Sequence, residues 1–598
     1  VSRRVGEGPL LPLGVFLLLA AISWNRWIEP YVDTGRELMV PWRVAQGEAL
    51  YRDVRFYYGP LAPWAAAAVD LVAGRSFAAR IALAAAVALL HLEALRRLAR
   101  RMLSPGRAIL VTSLVVAATF FLRPGGCHLF PYSLDTSIAV ASVTGSLLLA
   151  SGVRSRRRDL FAAAALTAAL LARPEIGLAG IAALSLERLF DGREQKRRLA
   201  LIALVPIGAA SALYAAASAG TSLPILQKEG WLTFLYLPAE FVNVYTSFAG
   251  ADRPGLRAAE LALALIALLA VGLWLLLAAL ASAREGARSA ATGRIVEVAG
   301  ITVLAAVAVL RLRPPESIRS VVDLLPPLVR AVPPLLFAAA AVGLVRRFTR
   351  RGRTTSFDGI PDSVLLLSLF FAARLFLAAG YVGPYNGFYL PLPLLVTSVL
   401  LLGAADRVPG RLAVTPSPAA FPRLVAAALA LFIVSRVAAL ALLYRHPAWS
   451  RVVTPAGSLY VPEPVAGATR AALADLVGRV RPGGAMTGFP ETGFLNWTLG
   501  RRNPLAQDQF FPGHLDPAAE EEAIARLERD PPDAVVYVDV LTIGHGRTAF
   551  GRDYLQRLDG YVRDRFKAAA SYGPGAGREP RIGDPNFFIE IRVPQTPP

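Results

Sequence analysis

Apolar runs of bilayer length recur along the chain as far as residue 444, and no other feature limits its fold so strongly. A helix needs roughly 20 mostly apolar residues to cross a hydrocarbon core about 30 Å thick, because each residue advances it about 1.5 Å. Runs near 10–28, 77–95, 107–123, 134–152, 159–172, 174–190, 199–219, 257–283, 294–312, 328–345, 363–380, 388–404 and 422–444 meet or approach that length. They predict an all-α polytopic membrane bundle of about 13 transmembrane helices over residues 1–444. The pair at 159–190 is joined only by Arg173–Pro174 and reads as a broken hairpin or a re-entrant element. Residues 60–74 are apolar but carry Asp70 and two early prolines, which suggests a helix lying along the interface. The composition agrees: 55% hydrophobic and 18% charged residues, with a mean hydropathy of +0.48, are too apolar for a soluble chain.

The formal charge of +20 is almost all arginine, since Lys196, Lys228 and Lys567 are the only lysines. The arginines gather in short blocks between apolar runs, at 96–101, 154–158, 193–198 and 346–353, as the positive-inside rule expects of cytoplasmic loops. Alternate loops hold few, and 380–387 holds none. This alternation places the chain in the plasma (inner) membrane with the N-terminus cytoplasmic and the segment after residue 444 extracytoplasmic. It also argues against nucleic acid, which needs a contiguous, accessible basic surface. Cys127 is the only cysteine, so internal disulfides and thiolate clusters are excluded, and the five histidines show no metal-ligand spacing. Arg3 and Arg4 before an apolar run resemble a signal peptide, but no small-x-small cleavage site follows, so a retained helix is expected.

From about residue 445 the chain becomes richer in Pro, Gly and acidic residues. Residues 467–480 predict an amphipathic helix with Leu473, Leu476 and Val477 on one face, and 520–529 a second helix. Residues 534–540 and 587–593 predict strands. The alternation implies a small soluble α/β domain over 445–598, with acceptor recognition as its expected role. Glu491 and Asp508–Gln509 are exposed-loop candidates for that role, with plain solvated loop residues the preferred reading.

The first outer loop, residues 29–76 including the interfacial helix, breaks the charge pattern. It mixes Glu29, Asp33, Glu37, Glu48 and Asp53 with Arg36, Arg43, Arg52 and Arg55. If 33–46 is helical, Asp33, Arg36 and Glu37 share one face at i, i+3, i+4. An ordinary solvated helix start, with Asp33 as N-cap, fits the same residues.

Three strings in this loop carry a resemblance: Asp33-Thr-Gly-Arg36-Glu37-Leu38, then Gln46-Gly-Glu-Ala-Leu-Tyr51-Arg52-Asp53, then Tyr57-Tyr58-Gly59-Pro60-Leu61 ahead of an apolar helix. They resemble the first outer loop of the GT-C glycosyltransferases, in particular the bacterial protein mannosyltransferase-like and lipid A aminoarabinose transferase-like branch. That resemblance implies a membrane enzyme that moves a sugar from a polyprenyl-phosphate-linked donor to a lipid, glycan or protein acceptor on the extracytoplasmic face. It implies an acidic residue after the first helix that meets the acceptor or a metal, here Asp33, the candidate general base. The aminoarabinose-type enzymes place a lysine just before the Pro-Leu step, where this chain has Tyr57, Tyr58 and Gly59.

The chemistry is coherent. A base must take the acceptor's hydroxyl proton, and guanidiniums grip a leaving phosphate bidentately. Glu37 and Asp135 are further catalytic candidates. Arg36, Arg52, Arg55 and Lys228 are candidate donor-phosphate partners, and Asp53, Tyr57, Tyr58, Arg173, Glu175, Tyr385 and Asn386 candidate cavity residues. Metal dependence stays open at this point: Asp33, Glu37 and Asp135 can hold a divalent cation, Mg²⁺ or Mn²⁺, or none. Arg374 and Arg436 lie within apolar runs, where a charge marks function or snorkels to the interface. The competing reading is a transporter or flippase of lipid-linked saccharide, which predicts charges at mid-membrane and symmetry between halves. A third is a non-enzymatic scaffold for the outer domain.

Overall fold

The computed structural model describes residues 10–121, 127–129, 133–151, 155–190, 196–236, 239–240, 242, 332–333, 335–341, 356–357, 359–378, 386–411, 420–540, 546–547, 550–575 and 587–595. The expected spans at 257–283 and 294–312, most of 328–345, the basic block at 346–353 and Tyr385 lie outside these residues.

The N-terminal helices are α1 (Leu10–Ser23), α2 (Thr34–Ala45), α3 (Leu61–Ala73), α4 (Phe77–Met102), α5 (Pro105–Thr119), α6 (Leu134–Ala150), α7 (Arg156–Ala172), α8 (Pro174–Phe190), α9 (Lys196–Ala217) and α10 (Leu223–Glu229). Helices Asp362–Ala378, Asn386–Tyr389, Pro391–Arg411 and Ala420–Tyr444 follow. Among the described residues, α4 and Leu199–Ala217 within α9 are long and apolar enough to cross a bilayer, and several others, α1 and α5 among them, are apolar but shorter. The described helices therefore do not by themselves reach the expected 13. Their surfaces are nonetheless greasy: Val72 is 90% exposed, Leu90 70% and Leu204 67%. An apolar surface of this kind calls for a covering.

Small residues let the helices approach. A Cβ on Gly180 of α8 would stand 2.1 Å from Val143 Cγ2 of α6, so a side chain there would force Val143 to move. The buried hydroxyls of Thr112 and Thr144 donate to the carbonyls of Ala108 and Val140 one turn back, which satisfies both within their own helices. The 159–190 segment is two helices, α7 and α8. The break falls where Arg173 turns extended and Pro174 opens α8, a position whose N–H has no helical partner in any case.

Helix α3 is anchored as well as apolar. Asp70 is buried and takes two hydrogen bonds from Arg80 of α4, at 2.8 and 2.6 Å. Arg80 also donates to the Leu38 carbonyl of α2 at 3.3 Å. The pair gives each buried charge its counter-ion and ties three helices together.

Beyond a short pair, β1 (Ser356–Phe357) with β2 (Ile360–Pro361), the strands belong to the C-terminal part. The hairpin of β3 (Trp449–Thr454) and β4 (Gly457–Pro462) leads from the last apolar helix. A four-stranded sheet follows in the order β5 (Met486–Phe489), β6 (Ala534–Val538), β8 (Ile589–Pro594), β7 (Phe566–Tyr572), with β5 and β6 parallel and the other pairings antiparallel. Helices Val465–Arg479, Gly493–Leu499, Pro517–Arg529 and Gln556–Arg565 accompany it. The segments expected at 534–540 and 587–593 are thus strands β6 and β8. Val477 does not join the buried face of its helix: it is 57% exposed, and the stripe runs through Ala466, Thr469, Ala472, Leu473 and Leu476.

This C-terminal part is packed onto the first loop. Gly35 of α2 meets Gly493 backbone to backbone: a Cβ on Gly35 would lie 2.7 Å from Phe494 N, and one on Gly493 would lie 2.8 Å from Gly35 C. Arg43 of α2 donates to Leu505 O at 2.8 Å, and the Arg55 N–H donates to Ala506 O at 2.9 Å. Gly35→Ala must push the two backbones apart. It is expected to lower stability by about 1–3 kcal/mol, read as an earlier thermal unfolding of the detergent-solubilised chain.

Candidate active site

Asp33 stands at the N-cap of α2 in the left-handed region, φ 61°, without a side-chain capping bond. Glu491 of the C-terminal domain does the capping. Its Oε2 accepts the Asp33 N–H at 2.7 Å and its Oε1 the Arg36 N–H at 3.2 Å, so one buried carboxylate satisfies two of the free amides at the helix start. The Asp33 carboxylate is thereby released for other contacts. It accepts from Gln509 Nε2 at 2.8 Å and lies 3.4 Å from Arg36 Nη1. Gln509 also donates to Glu491 at 2.9 Å and accepts from Arg36 Nη1 at 2.7 Å. Arg36 completes the cluster by donating to Glu37 at 3.0 Å. Asp33, Arg36 and Glu37 do share one face. Glu491, Asp508 and Gln509, expected in solvated loops, are buried.

A second cluster meets the first across one aromatic ring. At the start of α6 Asp135 is fully buried, with Oδ2 2.5 Å from Arg173 Nε, and Ser133 donates to its other oxygen. Arg173 also reaches Ser133 Oγ at 3.3 Å and Glu175 at 3.4 Å. The Arg173 guanidinium lies 3.7 Å from the centroid of the Tyr58 ring, and that of Arg36 lies 5.1 Å from it. Gly59 makes this possible. Its N–H donates to Ala172 O at 3.2 Å, and a Cβ there would overlap the Leu171 carbonyl, at 2.0 Å. Two guanidiniums thus approach the Tyr58 ring, and each also meets carboxylates: Asp33 and Glu37 at Arg36, Asp135 and Glu175 at Arg173.

The remaining candidates lie elsewhere. Arg55 is buried 3.6 Å from Glu229, which accepts from Gln507 at 2.6 Å; burial raises the Glu229 pKa. Tyr57 packs against His514, ring centroids 4.7 Å apart, and its buried hydroxyl has no hydrogen-bond partner among the described residues. Arg52 and Asp53 pair with each other near the surface, and exposed Lys228 pairs with Asp516. The Asn386 side chain, like Tyr385, lies outside the described residues. Arg436 is buried within Ala420–Tyr444, and Arg374 lies 5.8 Å from the Tyr389 ring centroid.

Electrostatics follows burial. Loss of water pushes Glu37 up to about 8; the Arg36 cation opposes this, while the carboxylates of Asp135 and Asp33 add to it. Burial, then the nearby Asp33 carboxylate, pushes Glu491 up to about 7. Both folded values lie above the ordinary 4.5, so the fold holds protons that the unfolded chain releases. That stabilisation is complete below about 4.5 and is lost as pH rises towards 8. Melting at pH 5 and pH 8 checks the sign: the chain is expected to be less stable at pH 8, and Glu37→Gln to shrink the difference.

The carboxylates of the site are engaged by arginines. Asp33 and Glu37 each face Arg36, Asp135 faces Arg173, and the described residues contain no cluster of three His, Cys, Asp or Glu able to hold a metal.

No family model matches the sequence, and no curated protein does. Solved structures do resemble the chain over nearly its whole length. ArnT from Cupriavidus metallidurans bound to undecaprenyl phosphate is 15% identical, with 97% of each chain covered and a TM-score of 0.45. The apo oligosaccharyltransferase of Archaeoglobus fulgidus is 13% identical over 98% of this chain and 75% of its own, TM-score 0.46. AglB from Archaeoglobus fulgidus with an inhibitory peptide and a dolichol-phosphate is 13% identical over 94% and 73%, TM-score 0.42. ArnT and AglB are GT-C glycosyltransferases.

Proposed function

We propose that this chain is a membrane glycosyltransferase that moves a sugar from a polyprenyl-phosphate-linked donor to an acceptor hydroxyl on the extracytoplasmic face. The observation that carries the reading is the Tyr58 cluster, in which Arg36 and Arg173 approach one ring with Asp33, Glu37, Asp135 and Glu175 around them. Guanidiniums suit a phosphate that leaves with negative charge, and a carboxylate suits the proton of an attacking hydroxyl. Asp33 serves as base because its side chain retains 21% exposure, whereas Glu37 is shut in at 4%. Arg36 and Arg173 hold the donor phosphate, and the exposed apolar helix surfaces sit in lipid alongside the isoprenoid. Displacement of the phosphate by the acceptor oxygen in one step inverts the anomeric centre.

The test is transfer by the purified full chain in lipid nanodiscs, supplied with radiolabelled polyprenyl-phosphate sugars and envelope lipid or peptide acceptors. Label appearing in acceptor supports the reading. Label that crosses sealed vesicles with its lipid and is never transferred supports the flippase instead. Deleting residues 445–598 does not separate an enzyme from a scaffold, because it removes Glu491 and Gln509 from the site.

A further inference from the structure

The C-terminal domain follows the bundle in sequence, yet two of its buried side chains touch the proposed base and its cation directly. We propose that Glu491 and Gln509 are positioning residues for Asp33 and Arg36, so that the C-terminal domain is a working part of the active site. This rests on the function proposed above.

Three observations carry it. Asp33 is a non-glycine residue at φ 61°, a backbone state that costs about 1–3 kcal/mol and persists only where surrounding contacts fix it. The contacts that fix it here are the two N–H bonds to Glu491. Gln509 then sets the side chains. Its oxygen faces Arg36 Nη1 and its nitrogen faces both Asp33 Oδ1 and Glu491 Oε2, so only one orientation of the amide satisfies all three partners. Finally, the loops bearing Glu491 and Gln509 are bonded to each other, Phe510 N–H to Pro490 O at 2.7 Å, so the pair acts as one rigid jaw. The Gly35–Gly493 contact brings that jaw within reach. Glu491 and Gln509 bond to Asp33 and Arg36, not to the Arg173 half of the cluster, so their loss should misplace the base and one of the two phosphate guanidiniums while Arg173 stays in place.

The experiment uses the full chain in nanodiscs. Gln509→Ala is expected to lower kcat on the order of 10²-fold, the cost of a misplacement near 1 Å, with a smaller rise in the donor KM, at most about tenfold, because Arg36 loosens while Arg173 keeps its place. Glu491→Ala is expected to speed hydrogen exchange at the Asp33 and Arg36 amides by at least about tenfold, since both lose their acceptor, while amides of Val465–Arg479 keep their rates. A merely structural role would alter exchange across the domain and leave the kcat-to-KM pattern unsplit. Wild-type kcat in Gln509→Ala, or unchanged exchange in Glu491→Ala, overturns the proposal. If the wild-type chain transfers no sugar, the proposed function falls, and the exchange arm alone still decides whether Glu491 holds this loop.

Discussion

Replacing Asp33 by asparagine is expected to reduce sugar transfer by about 10²- to 10⁴-fold, the usual contribution of a positioned general base. The substitution preserves size and leaves the backbone bond from residue 33 to Glu491 in place, so the loss should fall on kcat and not on folding. An asparagine oxygen can still accept from Gln509 Nε2, where the aspartate does so at 2.8 Å. What asparagine cannot do is take a proton. Glu37 does not substitute for it, because its side chain is only 4% exposed, closed off from an incoming hydroxyl and held against Arg36. The measurement is single-turnover transfer with saturating donor, wild type against variant. Full activity in Asp33→Asn would move the base elsewhere in the cluster while leaving the reaction class standing.

Arg173→Ala carries the second large effect, on stability and donor binding together. It leaves Asp135 buried beside Ser133 without its cation, and breaking a buried pair in this way costs about 3–5 kcal/mol. It also strips one face of the Tyr58 ring and removes one of the two guanidiniums proposed for the phosphate. Arg173→Lys restores charge but not the planar fork or the stacking, so it should recover part of the stability and little of the donor affinity. The pair Arg173→Met with Asp135→Leu separates the roles. Removing both charges is expected to return much of the lost stability with no return of transfer. Thermal melts of the four proteins, paired with the donor KM, check this.

The first loop was the most legible part of the site. Helical spacing alone puts Asp33, Arg36 and Glu37 on one face, because residues three and four apart are neighbours on any helix. Arg173 and Glu175 stood out because charge between apolar runs needs a reason. The position of the break between α7 and α8 follows from Pro174. Periodicity could not reveal contacts between residues more than 450 positions apart, such as Asp33 with Glu491. Nor could polarity betray Glu491 and Gln509 as buried: Glu and Gln are mostly exposed residues, and only their partners make burial tolerable. The close glycines in Gly488-Phe-Pro-Glu491-Thr-Gly493 were the one available hint. Strand β7 escaped notice because Lys567 and three alanines lack the branched side chains that mark strands.

The bond between Asp33 and Glu491 joins positions 458 residues apart, and a ribosome makes them in that order. At about 5–20 residues per second, roughly 20–90 s pass between their syntheses. Throughout that interval the loop bearing Asp33 lacks the carboxylate that fixes its backbone. On the function proposed above, a nascent chain is therefore not yet able to act on the donor lipids around it, and activity begins only once the segment bearing Glu491 has been made and has folded back onto the first loop.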